Sequence, residues 1–122
     1  MSTITRIEPG VRMSAAVVHG NTVYLAGHVV ADRSLGVTGQ TQAILARIDE
    51  RLAAAGTDKS RLLSASIWLA DMATFDQMNV AWDAWVDSAN PPARATVEAR
   101  LASPDYLVEI AVIAAVAAVA AR

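Results

Sequence analysis

Two residues of this chain are suited to chemistry on a small anion. Arg94 lies in Pro92-Ala93-Arg94-Ala95-Thr96-Val97-Glu98, and Glu109 is the one charged residue between Leu107 and Ala121. Arginine's planar guanidinium can grip a carboxylate through two parallel hydrogen bonds. A carboxylic acid among apolar residues can orient a water and exchange a proton with it. Because an ionised carboxylate is rarely buried alone, Glu109 requires a cation, a water or another donor, or else takes up a proton, and Arg94 is a candidate partner beside Arg12 and Arg100. Thr96 suits strand packing better than nucleophilic attack, since no base is apparent near it. His19 and His28 have no cluster of further metal-type ligands around them, so no metal is expected there.

The elements that position these residues follow from periodicity. Arg94 to Leu101 alternates polar and apolar residues, the pattern of a strand with one buried face. Leu107 to about Ala117 is apolar throughout except for Glu109, which predicts a strand buried on both faces. Upstream, Ala15 to His19 and Thr22 to Gly27 read as a hairpin turning at Gly20-Asn21, residues suited to positive φ angles. Ile4 to Ile7 is a short edge strand. After a loop from Val29 to Thr38, a helix from Gln40 to Ala55 carries Ile44, Leu45, Ile48 and Leu52 on one side, and Gly56 stands at its C-terminal cap. Leu62 to Leu69 is a further strand. Thr74 and Gln77 have the spacing of a capping box, opening a second helix with Phe75, Met78, Trp82 and Trp85 along one stripe.

The order ββαβαββ predicts an α+β two-layer domain, one sheet covered on one face by two helices, over residues 1–122. The last strand is apolar on both sides, so the face without helices should be covered by another copy of the chain.

Composition narrows the function. At 122 residues and 54% hydrophobic, the chain has room for one core. Ten Lys+Arg against twelve Asp+Glu leave a net charge of −2, with the basic residues scattered, which disfavours nucleic acid as a partner. The absence of cysteine excludes disulfides and thiol chemistry and fits a cytoplasmic protein. Met1 to Gly10 does not read as a signal peptide. The run from Ile110 to Ala121 is too short to span a membrane and ends in an Ala-rich apolar tail.

The chain resembles the Rid proteins, the reactive intermediate deaminases also called the YjgF family. The likeness is carried by Pro92-Ala93-Arg94 with Thr96, by Val108-Glu109-Ile110, by Met78-Asn79-Val80-Ala81-Trp82 and by Val23-Tyr24-Leu25-Ala26-Gly27-His28. It implies a chorismate-mutase-like fold, a homotrimer with sheets facing inward, and a site in the cleft between subunits. It also implies hydrolysis of small 2-imino or enamine acids to 2-keto acids and ammonia, as in a 2-iminobutanoate/2-iminopropanoate deaminase. Arg94 then matches the carboxylate clamp, Glu109 the water-orienting glutamate, and Thr96 and Gly27 the stretches that help hold ligand. The alternatives are a regulatory protein that binds a keto acid without turnover and, further off, a ribonuclease or translation inhibitor. Many deaminating members have a tyrosine where this chain has Met13, and serine and glutamine where it has Ala26 and His28, so the pocket wall differs.

Overall fold

The computed structural model of the protein describes residues 3–116. One sheet of six strands runs in the order β1-β2-β3-β6-β4-β5. Its strands are β1 (Ile4–Pro9), β2 (Ser14–His19), β3 (Thr22–Leu25), β4 (Leu62–Leu69), β5 (Ala93–Glu98) and β6 (Val108–Ala115), and the helices are α1 (Gly36–Ala54) and α2 (Phe75–Trp85). All neighbouring strands are antiparallel except β4 and β5. The parallel pair follows from the connection, because α2 crosses over between them. This is the expected α+β architecture, with Ile4–Pro9 as the sixth, edge strand.

Both helices cover one face. Ile44, Leu45, Ile48 and Leu52 of α1 and Met78 and Trp82 of α2 are buried against Ala16, Val23, Ala65, Ile67, Leu69, Val108, Ile110 and Val112 of the sheet. α1 ends as its sequence predicts. Gly56 has φ +82°, its N–H donates to Ala53 O, and Thr57 N–H reaches back to Leu52 O, the two bonds of a Schellman cap.

Several local expectations are corrected. α1 begins at Gly36, four residues ahead of Gln40, after a 3₁₀ turn over Arg33–Leu35 that Asp32 caps through Ser34 N. Thr74 and Gln77 form no capping box. The Thr74 hydroxyl donates to Asp71 O at 2.6 Å, and Asp71 caps the preceding turn through Ala73 N, so the aspartate starts this segment three residues early. In the hairpin, Gly20 alone takes a positive φ, +62°. β5 stops at Glu98 instead of Leu101, because it is an edge strand whose only partner, β4, ends at Leu69 opposite Glu98. The predicted end of β6 near Ala117 and the Ala-rich tail lie outside the described residues.

The sidedness of β5 and β6 is the larger surprise. In β6, Val108, Ile110, Val112 and Ala114 are fully buried under the helices, whereas Glu109, Ala111, Ile113 and Ala115 are only half-buried on the other face. In β5 the apolar residues are the uncovered ones. Ala93, Ala95 and Val97 align with Ser64, Ser66 and Trp68 on the helix-free face, and Val97 is 49% exposed. Arg94 and Thr96 instead pair with Ala65 and Ile67, turning toward α2. With Tyr24, 47% exposed, Ala93, Ala95 and Val97 make a helix-free face of small and apolar side chains.

Candidate functional site

Arg94 sits on the edge strand beneath α2. Its Nη1 donates to Oδ1 of Asn79 at 2.7 Å, and its guanidinium lies 5.3 Å from the ring centre of Trp82 and 5.8 Å from that of Phe75. Phe75, Asn79 and Trp82 are four and three residues apart, so a single helical face surrounds the cation. No carboxylate answers it: among the described residues the one ion pair joins Arg51 to Glu8. The Asn79 amide therefore acts on an arginine fifteen residues away in sequence. Thr96 lies two residues on, on the same face, and its Oγ1 is buried without a hydrogen-bond partner among the described residues.

Glu109 points the other way. It pairs across the sheet with Trp68 and flanks Val108 and Ile110, whose side chains are fully buried on the helix side, so its carboxylate emerges on the helix-free face. Arg94 is thus not its partner in this chain. The two residues stand two strands apart and three residues out of step along β4, and project to opposite faces. The divergence comes from register: β4 lies between β5 and β6, and aligns Arg94 with Ala65 but Glu109 with Trp68, residues of opposite parity.

Gly27 makes room for Glu109. A Cβ added at Gly27 would fall 2.1 Å from the Glu109 Oε2, so the carboxylate packs directly over the glycine Cα. The backbone brings the two together through a bulge. Tyr24 pairs with Ile113 and His28 with Ile110, so Leu25, Ala26 and Gly27 face only Ala111 and Val112. His28 closes the bulge with two backbone hydrogen bonds to Ile110 and turns its ring into the buried side, where Nδ1 lies 2.7 Å from Ala26 O. His28 therefore does not share the face of Glu109. Met13, by contrast, is 67% exposed ahead of β2.

Periodicity gave no sign of Gln40. This side chain is fully buried in the first turns of α1; its amide donates to Asp32 O and Asp105 O, and its Oε1 accepts from Leu107 N. It ties the segment after the bulge to the loop that feeds β6, and so fixes where Glu109 enters the sheet. A glutamine on an amphipathic helix carries no signal of such a task. A cavity of about 590 Å³ lies between Ala70, Glu98, Arg100 and Tyr106 at the end of β5 and includes neither Arg94 nor Glu109. A pocket that uses both residues therefore needs a second surface. No group of three or more His, Cys, Asp or Glu among the described residues is placed to hold a metal, and no described helix is long and apolar enough to cross a membrane.

Comparison with known proteins agrees with this architecture. The sequence profile described as endoribonuclease L-PSP matches residues 3–116. A RutC family protein of Haemophilus ducreyi is 47% identical over 113 residues, covering 93% of this chain and 97% of its own. A YjgF-family protein of Neisseria meningitidis superposes with a TM-score of 0.87 at 40% identity, covering 93% and 95% of the two chains. A Salmonella typhimurium protein described as a putative translation initiation inhibitor superposes with a TM-score of 0.85 at 43% identity, covering 93% and 98%.

Proposed function

Because the chain belongs to the family of YjgF, RutC and endoribonuclease L-PSP proteins, we propose that it hydrolyses small 2-imino acids to 2-keto acids and ammonia, in clefts between the subunits of a homotrimer. The observation that carries this reading is an arginine held by an amide and two rings, its charge answered by no carboxylate among the described residues. Such a cation is matched to a substrate carboxylate, which it can grip at two points. The orphaned Thr96 hydroxyl lies beside it as a further hydrogen-bond partner for the ligand.

Glu109 belongs to the opposite face, so each site takes Arg94 from one subunit and Glu109 from its neighbour. Subunits that bring their helix-free faces together also cover Tyr24, Val97, Ala111 and Ile113. In the reaction, the Glu109 carboxylate takes a proton from water as the oxygen attacks the C=N carbon. The proton passes to nitrogen, giving an amino alcohol; the carboxylate then carries the hydroxyl proton to the same nitrogen as the C–N bond breaks, so that ammonia leaves and the carbonyl forms. Acid–base help of about 10²–10⁴-fold suffices for bonds that already hydrolyse readily. No metal or cofactor enters this chemistry.

The test is to generate 2-iminopropanoate with an amino-acid oxidase, trap what survives with semicarbazide, and compare the trapped yield with and without the protein. The yield is expected to fall with the protein present; an unchanged yield contradicts the hydrolase. Light scattering is expected to give the mass of three chains, and a monomer at micromolar concentration would remove the intersubunit site.

Gly27→Ala is a sharper local prediction. The added methyl meets the movable end of a side chain, so Tm should change little, while the displaced carboxylate lowers turnover roughly 10- to 100-fold. Wild-type turnover in this variant would detach Glu109 from the chemistry.

The name of the family profile and that of the Salmonella relative favour an RNA-directed reading. Against it stand a net charge of −2 and the scatter of the basic residues. A keto-acid-binding regulator would use the same arginine without turnover, and exposed Met13, where many deaminating members carry tyrosine, favours that second reading.

A further inference from the structure

We infer that Asn79, with the rings of Trp82 and Phe75, aims the Arg94 guanidinium without neutralising it, so that its charge is kept for an anionic ligand. This rests on the reading of Arg94 as the ligand clamp. All three residues come from one face of α2, and Trp82 is only 6% exposed, which anchors the cradle to the core. An amide oxygen carries a partial charge, and an aromatic face attracts a cation through its quadrupole alone. Together they fix the direction of the guanidinium and spend one of its five N–H donors, the one bonded to Asn79 at 2.7 Å. An aspartate at the same place would have nearly the same shape but a full negative charge, and would occupy the fork that the ligand needs. Asn79 is therefore a positioning residue. It acts through Arg94, and its neutrality matters as much as its reach.

The decisive variant is Asn79→Asp, because structure and binding should then move in opposite directions. If Asn79 served only to brace the fold, an ion pair in its place would keep or raise Tm and leave ligand affinity alone. The inference expects Tm kept or raised while calorimetric affinity for 2-oxobutanoate falls about tenfold or more, in protein shown to assemble like the wild type. Labelling of Arg94 by phenylglyoxal, followed by peptide mass, should slow in the same variant as the new carboxylate engages the guanidinium. Wild-type affinity together with a wild-type labelling rate would overturn the inference. If the unaltered protein itself fails to bind 2-oxobutanoate, the proposed function falls, and the labelling rates alone decide whether Asn79 keeps Arg94 free. Should Asn79→Asp not assemble, Asn79→Ser takes its place. Its short hydroxyl leaves the cation charged but unaimed, so KM should rise several-fold with kcat nearly unchanged, and an unchanged KM would overturn the inference.

Discussion

Glu109→Gln is expected to leave the protein folded, assembled and able to hold a 2-keto acid, and to lower imine turnover by about 10²–10⁴-fold. The prediction rests on what an amide keeps and what it loses. Glutamine is nearly isosteric, so it still fits against the Gly27 Cα, where the carboxylate now packs without room for one more carbon. It can still hydrogen-bond a water. It cannot take a proton from that water and return it to the leaving nitrogen. Turnover followed by imine consumption should therefore collapse while calorimetric affinity for a 2-keto acid stays close to that of the wild type. Equal losses in both would make Glu109 a binding residue, and unchanged turnover would exclude it from the chemistry.

Arg94→Lys is expected to fail in the complementary way. Lysine keeps a positive charge that can still lie against the Trp82 and Phe75 rings, so stability should change little. It loses the planar fork, and with it one of two charge-assisted hydrogen bonds to the substrate carboxylate. That loss is about 1.5–3 kcal/mol, a roughly ten- to hundred-fold weaker saturation by imino and keto acids. The checks are KM for the imine and calorimetric Kd for 2-oxobutanoate. If lysine binds as tightly as arginine, two-point recognition is wrong and a point charge is enough.

Much of the fold was legible in the sequence because it is written in short-range patterns. The i, i+3, i+4 stripe of Ile44, Leu45, Ile48 and Leu52 marks α1, and Gly56 marks its end by the one backbone conformation that favours glycine. The chemical identities of Arg94 and Glu109 were legible too, since a lone carboxylate in an apolar strand stands out at once. What the sequence concealed was their sidedness. Alternation along β5 says that Arg94 and Val97 face opposite ways, but not which way meets α2. That choice is made by pairing with β4, a strand more than twenty residues distant in sequence. The natural guess, that the apolar side is the covered one, fails because the aromatic face of α2 receives the arginine while Ala93, Ala95 and Val97 stay open on the other face. Gln40 and Asp71 were missed for a related reason: each spends its side chain on backbone groups that come near only when the fold is complete, or that compete with a plausible local cap.

The divergence of Arg94 and Glu109 is the core of the account, and mixed assemblies test it most directly. Arg94→Ala and Glu109→Gln proteins, each inactive alone, are unfolded together in equal amounts, refolded and assayed. If every site draws its arginine from one subunit and its glutamate from the next, about a quarter of the sites in randomly mixed trimers join two intact halves, and activity should return to about a quarter of the wild-type level. If a single subunit supplied both residues, no mixture could contain an intact site, and a mixture as inactive as its parents, despite demonstrated exchange of subunits, would contradict the account.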